Sequence, residues 1–314
     1  MVPRSEYEER QQRTRHRAAA LGLSALVCVS GPFYERPGDV AYLCGHFPPF
    51  PTSEGDGEVA GTGHAVLVLD RERTVLLVDT PCYREDLVVA SEVRVARDLW
   101  REAARLLERA SGPLGCVGWD RLPAEGLEAL RAAAPGLVRA DDVVRALRRR
   151  KSPLEVELLR AACACAREVL LASAASCLAG VSEREVSARG VAAGLLAGAD
   201  FVRYLRVHSG PWSAWPTRWP PATDRLLEKG DLVLLDAVGA RSGYAFDVGR
   251  TSLVGFDALP WQRHLLEATQ KALGRALEAI RPGKRAGDVA AAVLAAYEAA
   301  GLREHASPFV GHGI

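Results

Sequence analysis

Residues Asp231–Thr251 read DLVLLDAVGARSGYAFDVGRT. An apolar, β-branched arm runs into a glycine-marked turn, and a second arm returns. Each arm carries one acid among residues that favour burial, Asp236 in the first and Asp247 in the second, with ten residues between them. A turn centred on Arg241–Ser242 sets the two acids directly opposite one another. Opposed residues have Cβ atoms about 5 Å apart, and like charges there repel. Arg-Ser is not a preferred two-residue turn, and a longer loop also leaves the acids as neighbours. Poorly solvated carboxylates must be paired, share a proton or hold a metal. Three readings therefore stand for this hairpin: one Asp exposed at a strand end, a salt bridge from Arg250, or a metal site. Two carboxylates with an imidazole suit manganese, cobalt, iron or zinc. His312, between glycines near the end of the sequence, is the candidate imidazole, and flanking glycines allow close backbone approach.

Outward from the hairpin, the chain has 314 residues, 48% hydrophobic and 25% charged, with a formal net charge of +1. That is globular composition with room for two domains. It lacks the basic footprint of a nucleic-acid binder. The one dense basic run, Arg145–Lys151, reads as a solvated helix end. Seven cysteines at irregular spacing read as reduced, buried thiols of a cytoplasmic protein. Cys163 and Cys165 lie two apart on a helix and face different ways. No apolar run of about 18 residues predicts a membrane span, and the N-terminus lacks the layout of a signal peptide.

Residues 1–150 alternate helical and strand-like segments. A helix is expected from Arg4 to Leu21, strands at SALVCVS, DVAYLCGH, SEVRVARD and LGCVGWD, and a hairpin at HAVLVLD-RER-TVLLVDT. Helical spacing marks LWREAARLLERA and PAEGLEALRAAA. A boundary is expected near Arg150. Beyond it, Ser152 and Pro153 open a long helix, and Ser182 with Glu185 forms a capping-box pattern before a second. FVRYLRVHSG reads as a strand, PWSAWPTRWPPATDR as a loop, and two more helices follow the hairpin.

Four motifs in this order resemble metallopeptidase family M24, which includes Xaa-Pro aminopeptidases, prolidases, methionine aminopeptidases and creatinases: KSPLEVELLRAA, HSGPWSAWP, the Asp236–Asp247 hairpin, and AIRPGKRAGDV…AAGL…GHGI. The resemblance implies an α+β chain, with a creatinase-type α/β domain over 1–150 and an incomplete pita-bread domain over 151–314. It implies two divalent metal ions, manganese foremost, with cobalt, zinc or iron as alternatives. Asp236 would be a bidentate ligand of one, Asp247 would bridge both, and His312 would bind the second. Metal-bound hydroxide would then cleave a C–N bond of a small peptide, as in Xaa-Pro aminopeptidases and dipeptidases, or of a small-metabolite amide. A homodimer is implied as well. His208 and His312 are the catalytic candidates; His208 lies on the strand, so a packing role stands beside the catalytic one.

Three departures bear on this expectation. The family's two glutamate ligands follow Gly-His-Gly-Ile, where this sequence stops. It is therefore expected to be part of a longer protein, and the alternative is a non-catalytic or metal-free relative. Thr217 stands where peptidase members carry a substrate-loop histidine, and Thr cannot transfer protons near neutral pH. Gly249 replaces the usual Thr two residues after the second Asp. Trp212, Trp215 and Trp219 either line a small-molecule pocket or pack on the loop surface.

Overall fold

A computed structural model describes residues 2–32, 38–48, 61–214, 219–255, 257–307 and 309–313. The chain divides into two compact units, Met1–Pro153 and Leu154–Ile314.

The first unit is built on a six-stranded mixed sheet. Its strands are β1 (Ala25–Ser30), β2 (Ala65–Leu69), β3 (Thr74–Val78), β4 (Glu92–Val95), β5 (Leu114–Val117) and β6 (Val138–Arg139). The order across the sheet is β4-β3-β2-β1-β5-β6. The β2–β3 hairpin turns where the Asp70 carboxylate accepts from the backbone N–H groups of Glu72 (2.9 Å) and Arg73 (2.6 Å), a side chain satisfying turn amides that water would otherwise serve. Alternate residues feed two cores. Leu26, Cys28, Leu67, Leu69 and Leu76 enter one, and Val27, Val29, Val66, Val68 and Leu77 enter the other.

Helices α1 (Arg4–Ala20), α2 (Gly38–Cys44), α3 (Leu99–Glu108), α4 (Ala124–Ala133) and α5 (Asp141–Arg149) complete the unit. DVAYLCGH, expected as a strand, instead supplies the short helix α2. Its β-branched and aromatic residues favour a strand only weakly, and packing overrides them. Val40, Leu43 and Cys44 are buried on the core, and the buried Gln11 amide of α1 donates to the Leu43 carbonyl at 3.0 Å.

The second unit holds a three-stranded antiparallel sheet, β7 (Phe201–Ser209), β8 (Leu232–Arg241) and β9 (Tyr244–Leu253), in that order. Helices α6 (Pro153–Ala175) and α7 (Glu183–Leu196) share one core with it, where Val169, Ala166 and Val186 meet Leu205, Val207, Val233, Leu235, Ala237 and Phe246. Ser182 caps α7 and Glu185 closes the expected capping box. Helices α8 (Pro260–Ala279) and α9 (Ala286–Ala299) pair around Ala272, Ala276 and Val293.

All seven cysteines are free thiols. Five are buried as expected, but Cys82 and Cys163 are exposed. Cys165, two residues on, is buried, as the helical period requires. Among the described residues no helix is long and apolar enough to cross a membrane.

Candidate metal centre

The β8–β9 turn lies one residue further along than the sequence suggests. Arg241 pairs with Tyr244, so the turn residues are Ser242 and Gly243, both at positive φ (52° and 76°). Two left-handed residues make the primed turn that matches strand twist. The expected direct opposition of the acids is thereby corrected. Asp236 lies opposite Gly249 and Asp247 opposite Val238, so the acids are diagonal neighbours. They still share a sheet face, because moving a two-residue turn by one residue displaces the pairing by two, which preserves the side-chain alternation.

That face is half-buried. Asp236 and Asp247 have side-chain exposures of 15% and 25%. Burial raises the Asp247 carboxyl above its ordinary value, and the neighbouring Asp236 charge raises it further; His312 and Arg206 pull the other way.

The salt bridge comes from a residue the sequence did not single out. Arg206 on β7 is registered directly opposite Asp236, and its Nη1 donates to Asp236 Oδ2 at 2.6 Å. The expected alternative donor, Arg250, gives its Nη1–H to the Gly249 carbonyl at 2.7 Å. Only the pairing of β7 with β8 brings Arg206 to this place, and no local motif announces it.

His312 reaches the same spot from the far end of the chain, with Nε2 3.5 Å from Asp247 Oδ2. Its Nδ1 lies 3.0 Å from the Gly313 carbonyl. A carbonyl only accepts, so Nδ1 is the donor in that contact, and Nε2 is the ring nitrogen turned toward Asp247. Two carboxylates and this nitrogen form an oxygen–oxygen–nitrogen set that suits a divalent transition metal. The set is a row rather than a cage: among the described residues no group of three His, Cys, Asp or Glu is gathered tightly enough to hold an ion. The donor chemistry fits a cation, with Arg206 as competitor at one end.

His208 also lies on this face, one pair along, opposite Leu234. It is 3% exposed, and its Nε2 donates to the Pro220 carbonyl at 3.1 Å. Trp212 and Trp219 are exposed. Trp215 and Thr217 lie outside the described residues.

Glu183 was also not evident from the sequence, where it reads as an ordinary first-turn acid beside the capping box. It is 2% exposed. Its carboxylate accepts from the backbone N–H and hydroxyl of Ser209 (2.8 and 2.6 Å) and from the same two groups of Thr223 (3.0 and 2.7 Å). One side chain thus ties the end of β7 to the return of the tryptophan-bearing loop.

The profile of Metallopeptidase family M24 matches residues 157–314, and that of the Creatinase/Prolidase N-terminal domain matches residues 10–150. An Xaa-Pro dipeptidase of Pyrococcus furiosus is 30% identical over 177 residues, 56% of this chain and 50% of that protein. A probable dipeptidase PepE of Mycobacterium tuberculosis is 35% identical over 206 residues, 64% of this chain and 54% of that one. The chain thus spans about half the length of these curated relatives. Among solved structures, a prolidase of Pyrococcus horikoshii superposes with a TM-score of 0.76 at 22% identity, covering 94% of this chain and 79% of that one. Dipeptidase PepE of Mycobacterium ulcerans gives 0.73 at 28% identity, with 96% and 79% covered. Together these likenesses establish the α+β fold: a creatinase-type N-terminal domain followed by pita-bread architecture.

Proposed function

Because the chain belongs to metallopeptidase family M24, we propose that it acts as a metal-dependent hydrolase, cleaving a C–N bond in a small peptide of the Xaa-Pro type or in a small amide metabolite. The observation that supports this reading is that Asp236 and Asp247 share one half-buried sheet face and that His312 Nε2 lies 3.5 Å from Asp247 Oδ2. The relatives named Xaa-Pro dipeptidase and dipeptidase point to the substrate class. Asp236, Asp247 and His312 would hold the metal, manganese in the first instance. The bound cation would supply an activated water and polarise the scissile carbonyl.

The residues of this chain divide the remaining work. Asp236 and Asp247 concentrate negative charge where the cation is needed. The Gly313 carbonyl accepts from His312 Nδ1 and so orients the ring with Nε2 toward Asp247. His208 has committed its Nε2 proton to Pro220, so we assign it to holding the loop rather than to proton transfer. The same reading includes a homodimer, by family resemblance, and a reducing cytoplasmic location, in keeping with seven free thiols.

The test is hydrolysis of a panel of Xaa-Pro dipeptides and small amides by manganese-loaded protein, alongside Asp236→Asn and Asp247→Asn. Cleavage that both substitutions abolish supports the reading. Substrates left intact, or turnover unchanged in the variants, contradicts it. The Arg206–Asp236 ion pair favours one second reading, a metal-free relative in which a guanidinium neutralises the acid. Cleavage that survives chelation would select it.

A further inference from the structure

We propose that Arg206 is a resident counter-cation that competes with a divalent metal for Asp236 and so limits metal loading. This rests on the reading of Asp236 and Asp247 as ligands. The backbone register of β7 against β8 places Arg206 opposite Asp236, so the guanidinium is within reach of that carboxylate. The guanidinium lies 2.6 Å from Asp236 Oδ2, with side-chain exposures of 22% for Arg206 and 15% for Asp236. The Tyr204 ring, 4.2 Å away, supports its far side, a cation–π contact that steadies the charge where it stands. Across the strand from Arg206, Gly249 offers no side chain; a Cβ there would come no nearer than 3.9 Å to Asp236 Oδ1. Asp236 is therefore flanked by a cation on one side and by a residue without a side chain on the other.

An arginine cannot yield by losing its proton, since it stays charged at any working pH. A metal that takes Asp236 must displace the guanidinium from that oxygen, and then sits as a dication beside a monocation in a half-buried place, where charges are weakly screened. Removing the arginine has two opposite consequences. The metal-free site loses the charge that offsets two adjacent carboxylates, and the metal-bound site loses a repulsion. A side chain with only a structural role produces the first consequence without the second.

The experiment titrates manganese(II) into the 314-residue protein, reading free metal by electron paramagnetic resonance and stability by thermal melting. The proteins compared are wild type, Arg206→Gln, Arg206→Met, Arg206→Lys and Asp236→Asn. The Gln and Met variants are expected to bind the first ion about tenfold tighter or more, the scale of losing one close like charge. Their metal-induced rise in melting temperature should exceed that of wild type, and the Lys variant should stay near wild type. Affinities of the Gln and Met variants within about twofold of wild type, or weaker, overturn the proposal, as does loss of cooperative melting in both even with manganese. If one variant fails to fold, the other decides. Wild-type binding that Asp236→Asn removes, with no gain in the Gln or Met variants, overturns this inference alone. Binding by none of the proteins overturns it together with the parent reading.

Discussion

In the six-stranded sheet of the first unit, β2 and β3 are buried at every position, and successive residues enter two separate cores. Along β8 of the second unit, buried and half-buried residues alternate over most of its length. One face of that sheet shares a core with α6 and α7; the other carries Arg206, Asp236, Asp247 and Gly249. A sheet covered on both faces has no place where a carboxylate keeps part of its hydration. A sheet with one half-buried face can hold acids close enough together for a cation to be favoured between them. The site in this chain follows from which sheet faces are sealed, as much as from which residues are acidic.

The two sheets should differ most in how they tolerate an added charge. Leu67→Asp, in the sealed β2, should destabilise the first unit by more than about 5 kcal/mol and prevent its folding, whereas Leu234→Asp, on the half-buried face of β8, should cost about 2 kcal/mol. Urea midpoints for the two variants measure the difference, and equal losses would remove the distinction. Next in size is Glu183→Gln. All four contacts of that carboxylate are donors, so an amide NH2 must face some of them. The expected loss is about 4 kcal/mol in urea unfolding, with faster amide exchange at Ser209 and Thr223.

The sealed unit supplies a pH test. His46 is 2% exposed and its Nε2 has no hydrogen-bond partner among the described residues. Burial lowers its pKa from 6.5 to about 4. The unfolded chain therefore binds this proton first. The associated stability is complete above pH 6.5 and is lost as pH falls toward 4, by about 3 kcal/mol. His46→Leu should flatten the unfolding midpoint over that window; an unaltered pH profile would show that His46 is not the titrating group. The smallest effect is a gain. Gly249→Thr places a β-branched residue on β9 where its Cβ meets nothing closer than 3.9 Å and should raise the melting temperature, by about 0.5–1 kcal/mol of stability.

Local pattern carried much of the fold. The 65–78 hairpin was legible because β-branched runs flank a charged turn, and α7 because Ser182 and Glu185 stand at capping-box spacing. Pattern failed where packing decided, as in α2, whose strand-like residues coil into a short buried helix. It also misplaced the β8–β9 turn by one residue, since Ser242 is an uncommon residue for a left-handed position. Within the candidate site, the two acids were visible as polar interruptions of apolar arms. Arg206 was not, because its partner lies thirty residues away across a strand pair. His312 rested largely on resemblance, as its approach to Asp247 depends on the chain path after α9.

The half-buried face of this sheet is expected to hold a divalent cation between Asp236, Asp247 and His312. Crystals soaked in saturating manganese, with anomalous scattering recorded at the manganese edge, would locate that ion. The expected result is an anomalous peak in contact with both carboxylates and His312 Nε2, with the Arg206 guanidinium moved off Asp236. No peak on that face, with Arg206 still bound to Asp236, would rule the site out.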